Sequence, residues 1–157
     1  MIDVIKIASY IYKRYQDEMQ AVLDEMKLHK LLYLSQREVI IRTGELMFEE
    51  RFAAWKYGPV IESIRRRYKA NILNVMPTEE ELLPYKESLD YVFEIYAKKD
   101  SWTLSLLTHG ESSWQKAREG YAQDAHCDVL LDINDIKEDA KRIKMRRFFF
   151  GEVVPKL

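Results

Sequence analysis

Apolar residues recur at helical spacing near the start of the chain. Between Asp3 and Met19 they lie three or four positions apart, as Val4, Ala8, Ile11 and Tyr15. This spacing places side chains on one face of an α-helix. Asp3 stands where an N-cap carboxylate accepts a hydrogen bond from a free backbone N–H. The pattern predicts a first helix over residues 3–19.

The same periodicity predicts a second helix over residues 24–43. Its buried face is expected to consist of Leu28, Leu31, Leu32, Ser35 and Val39. Gly44 follows directly, and glycine readily takes the left-handed conformation that ends many helices. We therefore expect the helix to end at Thr43.

The pattern changes between Glu45 and Tyr57. The apolar residues there do not form a helical stripe, because acidic Glu49 and Glu50 interrupt them, so a short extended segment or hairpin is expected. Gly58 precedes a proline, a position biased away from helix, and is expected to be extended or turning. Pro59 then suits the first position of a third helix over residues 60–69, where its missing N–H costs nothing.

Capping residues and periodicity predict more helices in the second half. Thr78 and Glu81 have the spacing of a capping box, and Pro84 is expected to end or restart that element. The next buried face comprises Leu89, Val92, Phe93 and Tyr96. That helix is expected over residues 85–98. Ser101 is expected to cap a short helix that ends near Gly110, and Ser112 or Ser113 to cap another that ends near Gly120. The last helix is expected over residues 134–150, where Gly151 stops it. The fold expected is mainly α: a single compact domain over residues 1–157, with about seven helices and a short β-hairpin.

Composition indicates a single domain and a compartment, but it does not indicate a function. The 157 residues contain 47% hydrophobic residues, enough for a core in one domain. The 25 basic and 26 acidic residues nearly cancel, so no overall charge favours nucleic acid. The single cysteine, Cys127, excludes an intrachain disulfide and is typical of a reducing cytosol, so we expect a cytoplasmic protein. No apolar run approaches the roughly 20 residues that span a bilayer, so no membrane partner is expected. Asp3, Lys6 and Lys13 interrupt the apolar start of the chain and no small-residue cleavage site follows, so no signal peptide is expected.

Histidine and cysteine are sparse, and their spacing does not match a known site. One cysteine and three histidines lack the paired spacing of a zinc site. His126 and Cys127 are adjacent, and adjacent side chains rarely aim at each other, although a hydrolase that uses this pair stays an alternative. His29 and His109 are expected to have structural roles. We therefore expect no catalytic residue, no cofactor and no metal.

Two basic clusters leave their role open. One comprises Arg65, Arg66, Arg67 and Lys69, and the other Lys141, Arg142, Lys144, Arg146 and Arg147. Residues four apart share a helical face, so each cluster presents a pair of cations together. A solvated helix face is the simplest interpretation. Contact with a protein or with nucleic acid is the alternative for either cluster.

Three motifs occur in an order typical of one protein family. They read Lys27-Leu-His-Lys-Leu-Leu-Tyr33, then Phe48-Glu-Glu-Arg-Phe-Ala-Ala-Trp-Lys-Tyr-Gly-Pro-Val60, then Leu107-Thr-His109 followed by Trp114-Gln-Lys-Ala117. In order and spacing this chain resembles the Panacea, or SocA-like, antitoxin domain from about residue 4 to about residue 118. His29 stands where that family usually has glutamine.

The resemblance implies an antitoxin, a protein that binds a partner protein toxin and neutralises it, and not an enzyme. SocA-like members are also linked to delivery of the toxin to a bacterial protease, so the resemblance implies a protease as a further partner. Phage-associated, GepA-type relatives carry the domain without an obvious toxin. An interaction protein without a toxin is therefore one alternative, and the two basic clusters keep a nucleic-acid-binding regulator as another.

The residues expected to bind the partner lie on the second helix and on the segment that leads into the third. Tyrosine and arginine are enriched at protein–protein hot spots, and the glycine–proline step fixes the turn beside them, which lowers the entropy lost on binding. The second helix is expected to leave a polar, aromatic edge exposed beside its buried leucines. The expected set is Tyr33, Arg37, Trp55, Tyr57, Gly58, Pro59 and Arg65.

Overall fold

The structure, a computed structural model, describes residues 1–151 of the chain. Helix α1 spans Val4–Met19 and begins at Asp3, whose carboxylate accepts a hydrogen bond from the Ile5 N–H. Helix α2 spans Glu25–Thr43 and ends at Gly44, which has the left-handed conformation. Both helices and both capping residues are as the sequence predicts.

Helix α2 lies at the centre of the molecule. It packs against α1, against the β-hairpin and against three helices of the second half. Every residue from Lys27 to Ile41 is consequently buried, including charged ones. A buried charge is costly unless it is paired or neutralised, so the surroundings of α2 must supply partners for its polar residues.

A two-stranded antiparallel hairpin follows α2. Strand β1 spans Ala53–Trp55 and strand β2 spans Gly58–Val60, with Trp55 opposite Gly58 and Ala54 opposite Pro59. The expectation that Pro59 starts a helix is wrong, because this proline lies inside β2. A strand at the edge of a sheet tolerates a residue without an N–H, and helix α3 begins later and spans Glu62–Lys69.

Residues 79–151 contain five helices and one 3₁₀ turn. Helix α4 is a single turn with the predicted capping box between Thr78 and Glu81, and Pro84 lies in the 3₁₀ turn. The bounds are Glu79–Leu82 for α4, Leu83–Tyr85 for the 3₁₀ turn, Lys86–Tyr96 for α5, Ser101–His109 for α6, Ser112–Ala117 for α7 and Ile133–Phe150 for α8.

Two predicted caps are wrong. Helix α6 is capped by Asp100, whose carboxylate accepts from the Thr103 N–H at 2.8 Å, and not by Ser101. Helix α7 begins after Glu111, and neither Ser112 nor Ser113 caps it. Its free N–H groups instead donate to the carboxylate of Asp139 from α8, at 3.2 Å from Ser112 and 2.9 Å from Ser113. A residue distant in sequence therefore performs the capping.

The core is continuous and the fold is mainly α with one short hairpin, as predicted. All four apolar residues expected on the inner face of α5 are buried, and so are Ile136 and Ala140 of α8. One hydrophobic cluster joins α1, α2, the hairpin, α5 and α8. The hairpin is thus attached to the same core as the helices, with α6 packed against β2.

Candidate functional site

The first motif contributes a buried lysine beneath the hairpin. The side chain of Lys30 is 1% exposed, and its Nζ donates to the Pro59 carbonyl at 3.2 Å. Burial lowers the pKa of Lys30 to about 7. The lysine therefore binds the backbone of β2 while carrying its charge at a cost in solvation.

Gly58 is required by its contacts and by its backbone. Its φ is +118°, which side chains rarely adopt, and an added Cβ would lie 2.5 Å from Lys30 Cε and 2.6 Å from Thr108 Oγ1. Only glycine allows α2 and α6 to approach the strand this closely. The glycine of the second motif therefore adapts the hairpin to residues of the first and third motifs.

The third motif holds the other strand. The indole Nε1 of Trp114 donates to the Trp55 carbonyl at 2.9 Å, and Arg118 donates to the Ala54 carbonyl at 2.7 Å. His109 stacks on Trp114, with ring centroids 4.2 Å apart and planes 12° apart. Lys30 of the first motif, Trp114 of the third and Arg118 directly after it thus hold the hairpin in place from its buried side.

Two histidines belong to the same buried region. His29 Nδ1 accepts from the Ile61 N–H at 3.4 Å, and its Nε2 lies 3.6 Å from the Glu25 carboxylate. Burial lowers the pKa of His29, and burial together with the charge of Lys30 lowers the pKa of His109. Both rings are therefore more readily neutral than an exposed histidine, as suits residues that pack against the hairpin.

The turn of the hairpin is exposed and aromatic. Tyr57 is 44% exposed and packs edge-on against Trp102 of α6, which is 55% exposed, with ring centroids 6.0 Å apart. The Nζ of Lys56 lies 4.8 Å from the centre of the Tyr57 ring. Leu106, one turn after Trp102 on α6, is 55% exposed. We call Lys56, Tyr57, Trp102 and Leu106 the aromatic tip.

A second group flanks β1. The guanidinium of Arg65 lies over the half-buried Trp55 ring at 5.1 Å and donates to Glu25 at 2.7 Å. The Trp55 Nε1 donates to Asp128 at 3.0 Å, and the Asp128 carboxylate also lies 2.8 Å from His126 Nε2. Trp55 and Arg65 are therefore partly available beside the aromatic tip, although both already have partners in the fold.

The expected exposure of Tyr33 and Arg37 is wrong. Tyr33 is completely buried, with its hydroxyl 3.1 Å from Ser113 Oγ, and Arg37 is 7% exposed and pairs with the carboxylate of Glu111. The prediction assumed that α2 has a solvent face, whereas helices cover it on every side. Neither residue reaches the surface that Tyr57 occupies.

Of the other expected residues, Gly58 and Pro59 are also buried, and they act through the shape of the hairpin. Trp102 was not among the expected binding residues. A tryptophan in the first turn of a short helix was the available signal. Only the packing of α6 against the hairpin places it beside Tyr57.

The remaining candidate chemistry is dispersed. Cys127 is buried, with its thiol 3.8 Å from the Ala117 carbonyl, whereas the His126 ring is exposed and pairs with Asp128. No cluster of three or more histidine, cysteine, aspartate or glutamate side chains within residues 1–151 is arranged to hold a metal ion. Across the same residues, no helix combines the length and apolarity needed to cross a membrane.

Both basic clusters contribute to ion pairs within the fold. Arg65 and Lys69 share the carboxylate of Glu25. Arg142 pairs with Asp139, and Arg147 pairs with Glu38. These partners offset much of the local positive charge, which reduces the attraction for phosphates.

Comparison with known proteins gives one match. The model of the family described as antitoxin SocA-like, Panacea domain, matches residues 28–115. No curated protein and no solved structure matches the chain. The matched region extends over more than half of the 157 residues and contains Lys30, the hairpin and His109. The chain therefore belongs to the antitoxin SocA-like, Panacea domain family.

Proposed function

We propose that this protein neutralises a protein toxin by binding it directly, with the aromatic tip as the centre of the contact. Membership of the antitoxin SocA-like family supports an antitoxin-type role in general. The observation that carries the proposal is the exposed pair formed by Tyr57 and Trp102. Tyrosine and tryptophan are the residues most enriched at binding hot spots.

The buried residues make the tip a rigid binding element. Lys30, Trp114 and Arg118 each donate to a backbone carbonyl of the hairpin. A contact surface that is already ordered loses less conformational entropy when a partner binds. The motif residues therefore support binding indirectly, by fixing the position of Tyr57.

The proposed contact surface extends from the aromatic tip to Trp55 and Arg65. Their exposed parts lie beside the hairpin, and Arg65 stacks on Trp55. A toxin bound here would cover the tip and the edge of β1. We propose neutralisation by occlusion of the toxin, which needs no catalytic group in this chain.

A role as a protease adaptor requires a second contact surface. The end of α8 offers one, because Phe148, Phe149 and Phe150 are 82%, 67% and 77% exposed. Exposed apolar residues in a row are uncommon on soluble proteins and mark interaction sites. We therefore include delivery of the toxin to a protease as a second candidate function, with these phenylalanines as the contact.

Binding of the toxin is tested with the product of a toxin-like gene, where one lies next to this one. Tyr57→Ala and Trp102→Ala should each weaken binding by roughly 2–4 kcal/mol, about thirtyfold to a thousandfold, and abolish growth rescue in coexpression. Tyr121→Ala is the matched control, because Tyr121 is also an exposed tyrosine, at 46%. Circular dichroism establishes that each variant is folded.

The result that contradicts the proposal is specific. If folded Tyr57→Ala and Trp102→Ala bind and rescue like the parent, the aromatic tip is not the contact. If the parent chain binds no neighbouring gene product, the alternative of an interaction protein without a toxin is favoured. Replacing the three phenylalanines by serine tests the adaptor role separately, since toxin binding should persist while proteolysis of the toxin stops.

A further inference from the structure

The end of α8 leaves adjoining apolar side chains in solvent. Phe148, Phe149 and Phe150 are 82%, 67% and 77% exposed. The rings of Phe148 and Phe149 contact each other edge-on, with centroids 5.2 Å apart. Met145, one turn before Phe149, is 51% exposed. We call the three phenylalanines the phenylalanine cluster, and exposed apolar residues grouped in this way mark a contact surface.

The directions of the three side chains restrict what covers the phenylalanine cluster. Successive residues of an α-helix are turned by about 100° around its axis. Phe148, Phe149 and Phe150 therefore start on three different sides of α8. A groove in a folded protein takes one face of a helix, whereas a fluid phase that receives the helix end covers all three rings at once. The boundary between the headgroups and acyl chains of a bilayer is such a phase.

The same part of α8 is strongly basic. Residues 140–150 include five lysines and arginines and no acidic residue. Arg142 and Arg147 are paired with carboxylates of the fold. The other three cations, Lys141, Lys144 and Arg146, are exposed, and among residues 1–151 none of them has a carboxylate within ion-pair distance. Unpaired cations beside an apolar cluster complement an anionic lipid surface.

The unpaired cations lie at a suitable height above the rings. Lys144 comes four residues before Phe148, on the same side of the helix. Arg146 has the same relation to Phe150. Four residues correspond to about 6 Å along the helix axis, and apolar faces of peripheral helices enter a bilayer by about 5–10 Å. When the rings enter the boundary region, the cations therefore remain at the level of the lipid phosphates.

The fold also holds this end of α8 in place. Arg147, directly before the phenylalanine cluster, donates to the buried carboxylate of Glu38 at 2.8 and 3.0 Å. Its guanidinium lies 4.7 Å from the centre of the Tyr91 ring. The cluster thus projects from a helix that is fixed to α2, and an ordered contact surface loses less entropy on binding.

We propose that the end of α8 binds the surface of a bilayer that contains anionic lipids. The phenylalanine cluster enters the boundary below the headgroups, and Lys141, Lys144 and Arg146 contact lipid phosphates. Such a contact needs no segment that crosses the bilayer, so it does not require the long apolar run that this sequence lacks. The contact is independent of the proposed toxin contact, because the aromatic tip belongs to the hairpin and α6.

The test measures sedimentation of the full chain with vesicles of phosphatidylcholine, alone or mixed with phosphatidylglycerol. Affinity for the anionic vesicles should be about tenfold or more above that for the neutral ones, since three unpaired cations contribute, and it should fall as salt is raised. Combining Phe148→Ser, Phe149→Ser and Phe150→Ser should weaken binding to anionic vesicles about tenfold or more, because the apolar contribution is lost.

Matched single variants separate the site from the general properties of the surface. Lys144→Glu should weaken binding to anionic vesicles about tenfold. Lys98→Glu makes the same change of charge at an exposed lysine outside α8 and should change it by about twofold or less. Phe148→Ser should weaken binding more than Leu83→Ser, although Leu83 is 75% exposed. Circular dichroism establishes that each variant is folded.

Four results would overturn the proposal. One is the absence of binding to anionic vesicles, which would leave a protein contact for the phenylalanine cluster. Another is equal binding to neutral and anionic vesicles. A third is unchanged binding after all three phenylalanines are replaced, or equal weakening by Lys144→Glu and Lys98→Glu. The last is a dimer, measured by light scattering, that the triple serine variant converts to a monomer, which would show that the clusters of two copies cover each other.

Discussion

Lys30 and Arg37 are two buried cations on the same helix, two turns apart, and the fold treats them differently. Lys30 faces the hairpin, has a backbone carbonyl as its acceptor, and its pKa falls to about 7. Arg37 faces the α6–α7 junction and has a carboxylate partner in Glu111. Burial, the largest single influence, opposes the charge of Arg37, but the charge and hydrogen bond of Glu111 together with the nearby Tyr96 and Tyr33 more than offset it, so the pKa of Arg37 is raised.

The difference follows from the chemistry of the two side chains. Lysine loses its proton readily when it is buried, whereas arginine stays charged and requires an anion. Beneath the hairpin, where a backbone segment must be held in place, a lysine that can lose its charge is sufficient. At the α6–α7 junction, where the arginine keeps its charge, the fold must also supply a carboxylate, and the two groups form a polar contact between helices.

The largest loss of stability is expected from Gly58→Val, because Gly58 packs against Lys30. A side chain at φ +118° is strained, and its Cβ would lie 2.5 Å from Lys30 Cε. We expect a loss of roughly 3–6 kcal/mol in the free energy of unfolding, against about 1 kcal/mol or less for Pro59→Ala. Urea unfolding measures both, and a greater loss for Pro59→Ala would contradict this account of the turn.

The second-largest loss of stability is expected at the ion pair between Arg37 and Glu111. Glu111→Gln removes the anion and leaves Arg37 charged and buried, so the free energy of unfolding should fall by about 3 kcal/mol. Asp17→Asn breaks the exposed pair between Lys13 and Asp17 and should cost less than about 0.5 kcal/mol. Similar losses in the two variants, measured by urea unfolding, would show that burial of the pair has no energetic consequence.

A pH series sharpens the contrast between the two cations. The folded-state pKa of Lys30, about 7, lies below the unfolded value, so between about pH 7 and 10.5 the unfolded state binds more protons. Stability should therefore rise with pH through this window, by up to about 1.4 kcal/mol per pH unit. Lys30→Met should reduce this slope.

The comparison for this series is the slope of unfolding free energy from pH 7.5 to 9.5 in parent and variant. Tyr33 should add little to this slope. The ordinary pKa of tyrosine lies above this window, and burial raises the pKa of Tyr33 further. A variant with the parent's slope would mean that Lys30 does not titrate in this window. In that case the contrast with Arg37 would rest on geometry and not on charge.

The smallest effect on stability is expected at the aromatic tip. Tyr57→Ala and Trp102→Ala remove exposed rings and should each change the free energy of unfolding by less than about 1 kcal/mol. A double-mutant cycle should give a coupling of about 0.5 kcal/mol for the edge-on pair, at the low end for aromatic pairs because both rings are largely exposed. A coupling near zero would mean that the rings do not hold each other, and that the tip is ordered by the buried residues alone.

The sequence predicts local structure well where a signal lies within a few residues. Asp3, Gly44 and the capping box of Thr78 and Glu81 mark helix ends as expected. It fails at α6 and α7 in different ways. Asp100 competes with Ser101 for the cap of α6, and α7 is capped by Asp139, which is distant in sequence.

The sequence likewise predicts some residues of the candidate site and not others. Motif order alone indicates the family and the hairpin residues, including Tyr57. It does not indicate Trp102, which only the packing of α6 places beside the tip. It also misplaces Tyr33 and Arg37 on the surface, because periodicity reports one buried face and cannot show that a second set of helices covers the other.

By itself, then, the sequence determined the helical class, most helix ends, the hairpin segment and the family, because each of these depends on residues close together or on motifs in order. The tertiary structure decided which faces of α2 are covered, which carboxylate accepts each buried cation, and which aromatic rings remain exposed. Those outcomes depend on contacts between segments far apart in the chain, where burial changes the pKa of a lysine and makes an anion necessary for an arginine.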